Sequence, residues 1–102
     1  MDIKTEIKMI CDQIITLLNP EKIILFGTKL NVSGDKIRDI DLCVVVSDGA
    51  VSEIEKKIYL NIQSDIQFDV LIYLSEEWDT LCDDNTSYAC SISKKGVVVY
   101  EK

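Results

Sequence analysis

The chain reads as an α/β (α+β) protein in which a mixed β-sheet of about four strands carries helices packed on it. Three observations predict this. Short apolar runs rich in β-branched residues recur along the chain, "KIIL", "DLCVVV", "DVLIYL" and "VVVY". Between them lie segments whose apolar residues recur at three- and four-residue steps, the period of an amphipathic helix. Hydrophobic residues make up 47% of the 102, enough for residues 1–102 to form one domain around a core.

The elements follow in order. Ile3, Ile7, Ile10, Ile14 and Leu17 share one helical face, widened by Cys11, Ile15 and Leu18. Asn19-Pro20 stops that helix. Lys22–Gly27, "KIILFG", is a buried strand ending in glycine, and a short helix is expected after it. Asp39–Ser47 is a second strand. In residues 50–64, Val51, Ile54, Ile58 and Ile62 keep helical spacing, with Ser52 as cap or the start a residue or two earlier. Gln67–Leu74 is a third strand, and Ser75 with its following acids opens a capped helix. "TSYACSISKK" is a last short helix stopped by Gly96, and Val97–Tyr100 a final strand.

Composition narrows the function. With 18 acidic and 11 basic residues the net charge is −7, unsuited to non-specific binding of nucleic acid or an anionic membrane and suited to metal cations or a basic protein partner. No apolar run approaches the roughly 20 residues of a membrane span, and "MDIKTEIKMI" has no signal-peptide core. Cys11, Cys43, Cys82 and Cys90 fit no zinc spacing, and there is no histidine to complete a mixed site. They are expected as reduced core or near-core thiols of a cytoplasmic protein. Trp78 and Tyr88 are expected in the core; Leu30 and Val32 fit either core or a partner contact.

The chemistry concentrates in "FGTKLNVSGDKIRDID", Phe26 to Asp41. Residues two apart on a strand point to one face, so Asp39 and Asp41 project together while Ile40 and Leu42 face the other way. Two such carboxylates repel unless a cation offsets them, and hard oxygen donors favour Mg²⁺. Solvated aspartates at a loop–strand junction are the plainer alternative. Asp69, near the start of "FDVLIYL", completes a trio if the second and third strands are neighbours. Three such carboxylates suit a two-metal phosphoryl-transfer site. Gly27-Thr28 after a strand lets backbone N–H groups approach a phosphate, although a strand-ending glycine with a capping threonine is common in itself.

Together, G-T, ten residues, D-x-D and a later strand aspartate resemble the minimal nucleotidyltransferase (MNT) family of the DNA-polymerase-β-like superfamily. That family's signature is G-S, ten residues, D-x-D, after a strand ending "LFG"; this chain has "IILFGT…DIDLCVV". "YACSISKKGVVVYEK" matches the family's closing helix, glycine and tyrosine-ended strand, so the resemblance spans nearly the whole chain.

The resemblance implies a nucleotidyltransferase-like fold. It also implies two Mg²⁺ ions on Asp39 and Asp41, with Asp69 on the catalytic ion, helping to activate the attacking hydroxyl. Gly27 and Thr28 would hold the nucleotide's terminal phosphates, with Lys29 and Arg38 as cations beside them. The reaction would be in-line attack on the α-phosphate of a nucleoside triphosphate. Small stand-alone members commonly pair with a HEPN-domain ribonuclease toxin, so the expectation is an antitoxin in a hetero-oligomer, transferring AMP from ATP to a tyrosine of that toxin. The departures are specific. Threonine stands for serine at Thr28, and "RARG" becomes Lys29-Leu30-Asn31-Val32. Lys29 is a point charge where arginine would be a fork; Arg38 either compensates or pairs on the surface with Asp35 or Asp41. Fewer cations motivate an alternative, a catalytically weak or inactive module that neutralises its partner by contact. The retained aspartates, whose repulsion a silent site has no reason to keep, favour catalysis. A small-molecule nucleotidyltransferase would need an acceptor pocket that a second domain usually supplies.

Overall fold

The computed structural model of the protein describes residues 3–27 and 39–102, with the backbone but not the side chain of Ile3 and Asp39. The element order is α1 (Ile3–Leu18), β1 (Lys22–Leu25), β2 (Asp39–Val46), α2 (Val51–Asn61), β3 (Gln67–Leu74), α3 (Ser75–Cys82), α4 (Tyr88–Lys95) and β4 (Val97–Glu101). The sheet order is β3-β2-β1-β4. β1 pairs antiparallel with β2 and β4, whereas β2 and β3 run parallel. The sheet is therefore mixed, as expected. The parallel pair is joined through α2, because two parallel strands need a crossover rather than a hairpin. The helix expected between Gly27 and Asp39 lies outside the described residues, as do Leu30 and Val32.

Strand alternation divides the core between the two faces of the sheet. On one face Ile7, Ile10, Cys11 and Ile14 of α1 and Ile58 of α2 pack with Ile23, Leu25, Ile40, Leu42, Val44, Val46, Val70 and Ile72. On the other, Ile24, Cys43 and Val45 meet Trp78 of α3 and Ala89 and Ile92 of α4. β2 lies between β3 and β1 and is covered on both faces, which is why "LCVVV" is an unbroken apolar run. Trp78 is in the core, but Tyr88 is 58% exposed, against expectation.

Ser75 does not cap its helix as expected, and for α2 the earlier of the expected starts is found in place of a Ser52 cap. α2 begins at Val51 with Ala50 at the N-cap, and α3 follows β3 without a loop, so Leu74 occupies the cap position and Ser75 is already helical; neither helix has a side-chain cap bond. α4 is capped, its Ser87 hydroxyl accepting from the Cys90 N–H at 3.0 Å and donating to the Leu81 carbonyl. Gly96 ends α4 with an extended backbone (φ −77°). Its requirement is space: a Cβ there would lie 2.5 Å from Ile24 Cγ2 and 2.6 Å from the Ile92 carbonyl oxygen. α1 also holds the segment leading into β3. The Glu6 carboxylate, 3% exposed, accepts from the Asp65 N–H (3.0 Å) and the Ser64 hydroxyl (3.2 Å). Gln13 and Gln63 exchange hydrogen bonds of 2.8 and 2.9 Å. All four cysteines are free; Cys11, Cys43 and Cys90 are buried and Cys82 half-buried.

Candidate functional site

The strand ladder brings two of the sequence-predicted aspartates, Asp41 and Asp69, together. β2 and β3 are neighbours, and in their parallel register Asp39 stands opposite Gln67 and Asp41 opposite Asp69. Asp41 has the parity of Cys43 and Val45, and Asp69 that of Leu71 and Tyr73. Both carboxylates therefore belong to the face that carries α3 and α4. Asp41 is half-buried and Asp69 exposed. The arrangement is a carboxylate pair on the solvent-accessible part of the sheet, one member half-buried and one exposed.

Gly27 sits under this pair. The Phe26 N–H donates to the Asp41 carbonyl at 3.0 Å, extending the β1–β2 ladder past Leu25↔Leu42. The chain then turns through Gly27 with φ +65°, a left-handed conformation that glycine adopts without steric cost. A Cβ at Gly27 would come to 3.1 Å from Asp41 Oδ2, so the missing side chain makes room for the carboxylate. The two ends of the glycine-to-aspartate motif, eleven residues apart from Thr28 to Asp39, thus meet at one point through Gly27 and Asp41. Thr28, Lys29 and Arg38 lie outside the described residues.

Gly27, Asp41 and Asp69 share a cavity of about 240 Å³ whose remaining walls are Phe26, Val70, Leu71 and Tyr88. One wall is acidic and the other aromatic and aliphatic. Tyr88 meets Phe26 edge to face, ring centroids 5.9 Å apart and planes at 82°. Tyr88 is what the sequence reading missed. The available signal was the position of Tyr88 directly after the N-cap serine, since a long side chain in a first helical turn leans back beyond the helix N-terminus.

A second tyrosine braces the site from the outer side. β3 is an edge strand, and the Val70 N–H, next along the chain from Asp69, donates to the Tyr59 hydroxyl of α2 at 2.9 Å. Tyr59 stacks on Phe68 with centroids 5.7 Å apart. Partial burial pushes the Tyr59 hydroxyl above its ordinary value of 10.0. The hydrogen bond from Val70 pulls it back, and the charges of Asp69, Glu55 and Asp41 push it up again.

The donor chemistry suits a hard cation. Adjacent strands run about 4.8 Å apart, so carboxylates in register on them can share one ion, and oxygen donors are those Mg²⁺ takes. Among the described residues, no group of three or more His, Cys, Asp or Glu could hold a metal. The side chain of Asp39, the third member of the expected set, is not among them. No thiol substitutes: burial, followed by the neighbouring Cys82, pushes the Cys43 thiol up to about 12, and burial followed by Asp12 pushes Cys11 to about 11.

The fold and this cavity define a four-stranded mixed α+β protein with an acidic, aromatic-walled site at one end of its parallel strand pair. No protein-family model matches the chain, and neither does any curated protein or solved structure. Among the described residues no helix is long and apolar enough to cross a membrane.

Proposed function

We propose that the protein is a nucleotidyltransferase that moves AMP from ATP to a hydroxyl on a protein partner, with a HEPN-type toxin as that partner and the chain as its antitoxin. The observation that carries the catalytic part is the convergence of Gly27, Asp41 and Asp69 on one cavity. The three positions come from different segments of the chain, and the motif that links them in sequence is the one the nucleotidyltransferase resemblance rests on. The partner assignment is supported by that resemblance and by the acidic balance of the chain, −7, which disfavours a nucleic-acid acceptor.

In this reading Asp39, Asp41 and Asp69 hold divalent ions, which supply charge stabilisation at the attacked phosphate and at the leaving oxygen. Gly27 and Thr28 receive the terminal phosphates, since a backbone without a Cβ at Gly27 admits close approach. Lys29 and Arg38 add positive charge. Asp69 draws the proton from the acceptor hydroxyl. That oxygen forms a bond to the α-phosphorus, the bond from this phosphorus to the β-bridging oxygen breaks, and pyrophosphate leaves with the electron pair.

The test is incubation of the protein with α-labelled ATP, Mg²⁺ and the HEPN-type partner. Label on the partner, lost in Asp39→Ala/Asp41→Ala, is the expected result. Neutralisation of the partner with no label transferred would replace this reading with the contact-only module.

A further inference from the structure

We propose that Tyr88 is the stacking wall for the nucleobase, so that the cavity takes an aromatic heterocycle on its apolar side while phosphate and metal occupy its carboxylate side. This deepens the nucleotidyltransferase reading and rests on it.

Three observations converge on Tyr88. The residue is 58% exposed, although Trp78 of the neighbouring α3 is 5% exposed and the core has accepted aromatic surface nearby. The exposed ring borders the cavity that Asp41 and Asp69 line. It is also held rather than loose. Phe26 fixes its orientation at 82°, and the Ser87 hydroxyl, bonded to both the Leu81 carbonyl and the Cys90 N–H, fixes the backbone on which it stands. A ring pinned on one side and open on another costs little further ordering when a second ring lands on it. Tyr59 is the other large exposed ring here, but it is engaged with Phe68 and Val70.

Size points the same way. At about 240 Å³ the cavity is smaller than the ~300–1,000 Å³ typical of sites that enclose a drug-sized ligand. One ring system fits the apolar side of such a volume, with the phosphates on its Gly27 and aspartate side. Leu71 and Phe26 give the ring an apolar surround, and the acidic wall disfavours bare phosphate at that end unless a cation lies between.

The experiment compares binding of ATP and of inorganic tripolyphosphate, each with Mg²⁺, by calorimetry on wild type and on Tyr88→Ala, Tyr88→Leu and Tyr88→Phe. Stacking predicts about tenfold or greater loss of ATP affinity in Tyr88→Ala and Tyr88→Leu, retention in Tyr88→Phe, and unchanged tripolyphosphate binding throughout. Tyr88→Leu keeps apolar bulk without a π-face, so ATP affinity equal to wild type in that variant overturns the proposal. Equal losses for ATP and tripolyphosphate overturn it too, because the ring would then act on the phosphate end. Wild type that binds neither ligand overturns the nucleotide reading itself, and the stacking wall with it.

Discussion

Asp41 and Asp69 stand directly opposite each other across the parallel β2–β3 ladder, each the Cα partner of the other. Like charges facing across strands destabilise a sheet by a few tenths to about 1 kcal/mol. In metal-free buffer Asp69→Asn should therefore match or exceed wild type in thermal stability, by a few degrees at most. In millimolar Mn²⁺ the order should invert, because only wild type keeps the full donor set and gains binding free energy on folding. Thermal melts with and without Mn²⁺ read both signs. A variant that gains as much from Mn²⁺ as wild type does would show Asp69 to be misassigned as a ligand.

A side chain at Gly27 should cost some stability and disturb the Asp41 carboxylate. Gly27→Ala meets two costs at once, a left-handed φ of +65° and a Cβ 3.1 Å from Asp41 Oδ2. The backbone cost alone is about 1 kcal/mol. The second falls on the carboxylate, which must move. The expected outcome is a modest drop in the urea midpoint together with a Mn²⁺ affinity weakened about tenfold or more. A stability loss with metal affinity intact would separate the turn from the site.

The legibility of the fold differed between local and non-local features. β3 came out with its bounds intact, Gln67–Leu74, because "FDVLIYL" is continuous and flanked by breaks. α1 was visible through its Ile7, Ile10, Ile14 stripe, and all three are buried. Ser75 is not a cap because α3 starts straight out of β3: the cap position is set by where the strand ends, and Leu74 falls there. Asp69 was a candidate only on condition that β2 and β3 paired, a fact of topology that no local pattern states. The sequence around Tyr88 points to the core because ring hydrophobicity is local, whereas its position at a cavity mouth depends on Phe26 and on the β2–β3 pair arriving from elsewhere in the chain.

Gly96 is a packing glycine and should respond more severely than Gly27. Its φ of −77° suits any residue. The obstacle is contact, since a Cβ would sit 2.5 Å from Ile24 Cγ2 and 2.6 Å from the backbone oxygen of Ile92. A side chain can yield but the last turn of α4 cannot, so Gly96→Ala should cost about 1–3 kcal/mol. The urea midpoint should fall with m unchanged. A near-neutral Gly96→Ala would mean that α4 docks less closely on β1 than the structure has it.

Alkaline pH should weaken the fold through its buried thiols. Burial raises Cys43 from 9.0 to about 12 and Cys11 from 9.0 to about 11. Between pH 9 and those values the unfolded chain releases thiol protons that the folded chain keeps. The unfolded state then binds fewer protons, so stability falls as pH rises across this window and is unaffected by these groups below it. Cys43→Ala should flatten the decline of the urea midpoint above pH 9. The same burial predicts slow alkylation of Cys43 and Cys11 at pH 8 in the folded protein and fast alkylation in urea.

Tyr59 holds the outer edge of β3 beside Asp69, and its two interactions can be separated. Tyr59→Phe keeps the stack on Phe68 and deletes the oxygen that accepts the Val70 N–H. The lost bond should cost about 1 kcal/mol, since the site is partly exposed and water can replace the hydroxyl. Amide exchange at Val70 should speed up while that of Leu71, whose N–H points the opposite way into the β2 ladder, stays slow, because the change is confined to one edge donor. Tyr59→Ala should cost more, as it removes the ring packing as well. If Tyr59→Phe leaves Val70 exchange unaltered, the amide is protected by something other than the hydroxyl, and the brace on the Asp69–Val70 peptide is not Tyr59.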